Sequence, residues 1–138
     1  MNQTLRVYDT LFIGNYTKDT IVTPAGTRYV DGGAMNYAAH AAARLGKRVA
    51  VATRLAREDA HVIRRLEEAQ VDCFVTYTPS STLMKLDYPT ANPDVRTLTV
   101  SDTAGSITAD EVKGIPAHSA VIGSSLRGEV GWDVIQVL

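Results

Sequence analysis

Apolar positions along this chain follow two alternating rhythms. TLFIGN (10–15), RVAVAT (48–53), VDCFVTY (71–77) and SAVIGSS (119–125) are short apolar runs bounded by glycine or polar residues, as buried strands of a parallel sheet are. Between the first two, nearly every residue from Ala34 to Leu45 is a helix former. Gly46, Lys47 and Arg48 then supply the glycine and the cations that favour a helix end. Residues 58–69 put Val62, Ile63 and Leu66 on one helix face and Arg64, Arg65, Glu67 and Glu68 on the other. Strands separated by helices of this length predict β-α-β units, an α/β domain with a mostly parallel sheet flanked by helices. One further short strand is expected at 21–23 or 27–30, on either side of the turn at Pro24 and Gly26.

The rhythm changes between Ser81 and Ser101. TLMKLDY and RTLTVS alternate with period two and are joined by PTANPDV, whose Pro, Asn and Asp are turn residues; Met84, Leu86 and Tyr88 share one face. This predicts a β-hairpin inserted into the α/β domain. TADEV carries a capping box from Thr108 to Glu111, opening a short helix that closes near Gly114 and Pro116. A last helix is expected to begin within 128–138. Its end, DVIQVL, is apolar and uncapped, and reads as cut rather than concluded.

Composition narrows the classes. With 138 residues, 45% apolar and 21% charged, one globular domain is expected over 1–138. Fourteen basic against fifteen acidic residues leave no broad electrostatic footprint for nucleic acid or an anionic membrane, so neither partner is expected. Cys73 is the single cysteine and cannot form an internal disulfide; with no signal-like start and no apolar run near the ~20 residues that span a bilayer, a soluble, cytoplasmic protein is expected.

Several chemistries can be set aside. His40, His61, His118 and Cys73 have no partner at metal-ligand spacing and no activating neighbour, so no metal site and no thiol chemistry is expected. Arg54, Arg57, Arg64 and Arg65 interleave with Glu58, Asp59, Glu67 and Glu68 as a solvated helix face does. Neither GNYTKD (14–19) nor DGGAMN (31–36) has the glycine spacing of a dinucleotide fingerprint or a P-loop. Both are nonetheless expected as loops at the carboxyl ends of strands, where open α/β sheets bind ligands. GNYTKD offers Asn15, Thr17 and Asp19. Gly32 and Gly33 let backbone approach a ligand at a helix N-terminus, and a carboxylate facing an amide can hydrogen-bond polyol hydroxyls. By itself Asp19 is either a turn carboxylate or a polyol ligand, and Asn36 either a helix-start polar residue or a ligand.

The order of these features resembles a known family. A strand, G-x-x-x-x-D, G-G-x-x-N at a helix start, ARLG, a strand, a helix ending before VD, and a hairpin with an arginine in its second strand is similar to the amino-terminal half of the ribokinase-like, or PfkB, sugar and nucleoside kinases. GGAMNYAAHAAARLGKRVAVAT (32–53) is the most specific part. The resemblance implies transfer of the γ-phosphoryl of ATP, with Mg²⁺, to a sugar or nucleoside hydroxyl. It implies that Asp19 holds substrate hydroxyls, that Gly32 and Gly33 contact the sugar and act as a hinge, that Asn36 binds a hydroxyl, and that the 81–101 hairpin is part of a lid. Thr17 stands where ribokinases commonly carry asparagine, and Ala56 of LARED where family members often carry glycine. The family's catalytic aspartate and anion hole lie in a G-A-G-D type motif that this sequence lacks, so no catalytic residue is assigned. The expectation is the substrate-binding half of such a kinase; the alternative is a non-catalytic sugar-binding or assembly module. With a sheet edge and lid uncovered, a homo-oligomer is expected.

Overall fold

A computed structural model describes residues 6–138. Its strands form two sheets. The first contains β1 (Thr10–Ile13), β4 (Val49–Leu55), β5 (Asp72–Tyr77) and β8 (Ala120–Ile122), ordered β5-β4-β1-β8 and parallel throughout. The second contains β2 (Thr17–Thr23), β3 (Gly26–Gly32), β6 (Thr82–Asp87) and β7 (Thr97–Asp102), ordered β3-β2-β6-β7. There β2 is antiparallel to β3 and parallel to β6, and β6 is antiparallel to β7.

Alternation along β1 and β4 explains why the first sheet is covered on both faces. Phe12, Val49 and Val51 point into one cluster with Met35 and Ala39 of α1 (Ala34–Arg44) and Val62, Ile63 and Leu66 of α2 (His61–Glu68). Leu11, Ile13, Ala50 and Ala52 point into the other, with Val112 of α3 (Ala109–Val112) and Val134 of α4 (Trp132–Ile135). Burying such a side chain fully stabilises by about 1.5–3 kcal/mol, so these two layers carry most of the driving force for folding. α1 ends where expected: Leu45 caps it and Gly46 takes φ +78°. The Thr108–Glu111 capping box forms as predicted. Among the described residues no helix is long and apolar enough to cross a membrane.

Five expectations are corrected. The GNYTKD segment is not all loop, because Thr17 and Asp19 lie in β2; the alternative strands at 21–23 and 27–30 are both present and longer, joined as a hairpin. The 81–101 hairpin forms as β6 and β7 but pairs with β2, so it is half of a four-stranded sheet. SAVIGSS is not buried: β8 is the sheet edge and all three of its residues are exposed. The arginine cluster is not one solvated helix face, since Arg54 lies on β4 and makes a two-pronged pair with Glu111 (2.8 and 2.9 Å).

Candidate functional site

The region where the two sheets meet is built by backbone register. Side chains alternate along a strand, so Thr17 and Asp19 share one face of β2 while Lys18 takes the other. Thr17 pairs with Gly32 of β3 and Asp19 with Val30; on the other flank Thr17 pairs with Thr82 and Asp19 with Met84. Thr17, Thr82 and Met84 are buried. The absence of a side chain at Gly32 makes the floor: an added Cβ would collide with Asp19 Oδ2 and lie 2.5 Å from Thr17 Oγ1.

Asp19 is the electrostatic oddity of this floor. Its Oδ1 is enclosed and has no hydrogen-bond partner among the described residues. Burial pushes its carboxyl above the usual range, and a hydrogen bond with the Thr17 hydroxyl opposes this only in part. A buried carboxylate with a free acceptor is costly unless donors reach it, and the hydroxyls of a polyol are such donors. Gly33 is held differently. It precedes α1 with φ +97°, a left-handed conformation, and a Cβ there would lie 2.8 Å from the Asn15 carbonyl oxygen.

The structure thus brings the Thr17 and Asp19 side chains together against Gly32, with Gly33 as its chain neighbour. Asn36, on the first turn of α1, is buried, and its amide donates to the Asp31 carbonyl (3.3 Å). It lines a cleft of about 510 Å³ with Asp31, Tyr37, His40 and Arg65. Asn15, which the sequence placed among the ligand-facing groups, is instead fully committed. Its backbone N–H donates to Glu129 Oε1 (2.7 Å), its side-chain amide donates to the Gly105 carbonyl (2.7 Å), and its Oδ1 accepts the Arg54 N–H (3.2 Å). The buried Glu129 is pushed upward by burial, opposed by the N–H groups of Asn15, Ser125 and Leu126.

Two groups near the site escaped the sequence reading. Asp31 collects the Tyr16 hydroxyl (2.6 Å), His61 Nε2 (2.9 Å) and Arg65 Nη1 (3.0 Å). Burial works against its charge, yet these three partners hold its carboxyl below the usual range. Asp59 is buried and accepts from Lys18 Nζ (2.8 Å) and the Ser81 hydroxyl (2.5 Å). The one available signal was alternation, which sends Lys18 and Asp31 to the face away from Asp19. Among the described residues no group of three His, Cys, Asp or Glu side chains is placed to hold a metal ion, and burial pushes the Cys73 thiol up to about 12.

This architecture recurs in solved kinase structures. A sulfate complex of a pyrophosphate-dependent kinase in the ribokinase family superposes with a TM-score of 0.83 over 93% of this chain, at 26% identity. The fold is ribokinase-like. A pyrophosphate-dependent myo-inositol-1 kinase, in a variant converted into a myo-inositol-3 kinase, matches the same ribokinase-like core with a TM-score of 0.81 at 24% identity over 93% of this chain. Fructokinase from Xylella fastidiosa shares the fold over 75% of this chain, with a TM-score of 0.61 and 18% identity. The ribokinase-like chain described here spans 45%, 43% and 37% of those three, respectively. Neither a scan of protein-family models nor a search of curated sequences gives a match.

Proposed function

We propose that this chain supplies the substrate seat and lid of a kinase that transfers a phosphoryl group to a hydroxyl of a sugar, a cyclitol or a nucleoside. The observation that carries this reading is the enclosed, unpartnered Asp19 Oδ1 above the Gly32 floor. Asp19 accepts hydrogen bonds from substrate hydroxyls, Thr17 adds a polar contact, and Gly32 and Gly33 bring backbone close enough to touch the ring; Asn36, which lines the separate cleft beside Asp31, is left out of this seat. The second sheet serves as the lid, with residues 81–101 as one of its two hairpins. A cyclitol enters the reading because a kinase of myo-inositol shares the fold, as a fructokinase does for sugars.

The seat's part in the reaction is positioning. Phosphoryl transfer asks a protein mainly to hold the nucleophilic hydroxyl in line and to stabilise charge, and a fixed carboxylate with a rigid glycine floor does the first of these. A kinase of this fold is described with bound ATP and others as pyrophosphate-dependent. Either donor, accompanied by Mg²⁺, suits a kinase of this fold; among the described residues no group of three His, Cys, Asp or Glu side chains is placed to hold a metal ion, and no residue of this chain is assigned to the metal or the donor.

Titration calorimetry with myo-inositol, ribose, fructose and adenosine tests the seat. One of these should bind saturably, and Asp19→Asn should weaken it about tenfold or more, since a hydrogen bond to a charged group contributes roughly 1.5–3 kcal/mol. Absence of binding by all four, or binding indifferent to Asp19→Asn, would leave a non-catalytic assembly module as the better reading.

A further inference from the structure

We propose that residues 57–65 form an ionic clamp on the root of the second sheet, and that Lys18, Asp31 and Asp59 are positioning residues for the polyol seat; the inference rests on the seat reading above. The β2–β3 register sets Lys18 directly opposite Asp31, one step from the Thr17–Gly32 pair and one step from the Asp19–Val30 pair. By alternation, Lys18 and Asp31 therefore occupy the face turned away from Thr17, Asp19 and Gly32. Both reach the same short stretch of chain. Lys18 Nζ meets Asp59 Oδ1 at 2.8 Å and Glu58 Oε1 at 3.4 Å, within or beside the 3-10 turn Arg57–Asp59. Asp31 Oδ2 meets His61 Nε2 at 2.9 Å and Arg65 Nη1 at 3.0 Å, both on α2.

A third strand is tied to the same place. The second carboxylate oxygen of Asp59 accepts the Ser81 hydroxyl (2.5 Å), whose oxygen accepts the Ala56 N–H (2.9 Å), just before β6 begins. The roots of β2, β3 and β6 thus converge on 56–65. The strength of the clamp is concentrated at Asp59. Its side chain is 3% exposed, whereas those of Lys18, Glu58 and Arg65 are 45%, 75% and 64% exposed. Exposed ion pairs contribute little, but a buried carboxylate stripped of its cation is left uncompensated, so Lys18 is held firmly. Because Lys18 sits between Thr17 and Asp19, holding it fixes which face of β2 the seat occupies and at what angle.

Hydrogen exchange read by mass spectrometry on the 138-residue chain tests the clamp. Lys18→Met should speed exchange of the 17–32 amides about tenfold or more, while those of β1, β4 and β5 stay as they were, because opening is then local. Lys18→Arg should restore slow exchange. Arg65→Ala removes the exposed half of the Asp31 contact and should loosen the same amides to a smaller degree, which decides the matter if Lys18→Met unfolds the whole chain. Unchanged 17–32 amides, or uniform loosening everywhere with Arg65→Ala, would overturn the clamp. Calorimetry separates it from the seat: Lys18→Met should weaken polyol binding about tenfold although Lys18 faces away from the ligand. Local loosening in a chain whose wild type binds no polyol supports the clamp and overturns the seat.

Discussion

Asp19 works against the stability of the fold that carries it. Its carboxyl is raised by burial, so folding disfavours its ionised form. A raised carboxyl contributes stability below the ordinary carboxylate range and loses it as pH rises through the folded value, so removing the charge helps the folded chain at pH 7. Asp19→Asn should therefore raise the thermal midpoint while weakening polyol binding, a pairing that differential scanning calorimetry and titration read on one sample. The two glycines should part company in the same way. Gly32→Ala presses on the Asp19 carboxylate and the buried Thr17 hydroxyl, both of which must shift, so binding should fall about tenfold. Gly33→Ala meets the Asn15 backbone at a left-handed φ, and should cost about 2 kcal/mol or more in urea denaturation. Placement in expected loops, together with the family resemblance, brought Thr17, Asp19, Gly32 and Gly33 to notice. It could not distinguish Asn15, whose amide is spent inside the protein, from a ligand-facing asparagine, because both need the same side chain. Nor could it lift Asp59 out of a run of acidic neighbours, since its burial arises from Lys18 and Ser81, which lie far away in sequence.

At the scale of elements, the strongly periodic segments were legible and the polar strands were not. β1, β4, α1 and α2 declare themselves through unbroken apolar runs or a helical stripe. TKDTIVT does not alternate: four polar residues come first and its two apolar ones, Ile21 and Val22, are adjacent, so the first half of β2 reads as loop. β8 has the composition of a central strand and the exposure of an edge, a difference that depends on what lies beside it. Arg54 and Glu111 show a helix fixed by charge rather than by length. α3 has only four residues, yet its Glu111 grips Arg54 of β4, with both side chains less than a fifth exposed. Burial disfavours the Glu111 charge, but Arg54, with bonds from Thr76 and Thr108, brings its carboxyl down to about 2 from 4.5. A depressed carboxyl stabilises above the unfolded value and loses that contribution as pH falls through the folded one. Stability should thus drop between about pH 4.5 and pH 2, by on the order of 2 kcal/mol from this group. Urea midpoints at pH 6, 4 and 3 measure the slope, and Arg54→Met should flatten it.

At the scale of the whole molecule, β8, α4 and β7 are among the elements that present apolar surface. Val121 and Ile122 lie on the β8 edge, Trp132 is 70% exposed on α4, and Leu98 and Val100 stand on β7, whose six residues are all exposed. Covering about 400 Å² of such surface would contribute roughly 10 kcal/mol before the costs of association, so self-association at micromolar concentration is expected. Light scattering on a size-exclusion column should show dimers or larger species, and a sharp monomer peak would count against it. The alternation of β2 also constrains how the sequence can vary. The two-residue turn at Pro24 and Ala25 lies beyond the paired residues and can lengthen freely. A single residue inserted between Gly14 and Thr17 cannot be absorbed by sliding the strand, because a shift of one would bring Lys18 over the glycine floor and turn Asp19 toward Asp59. Descendants of this sequence should therefore gain and lose residues at the far tip of the hairpin, and at its root change only by substitution.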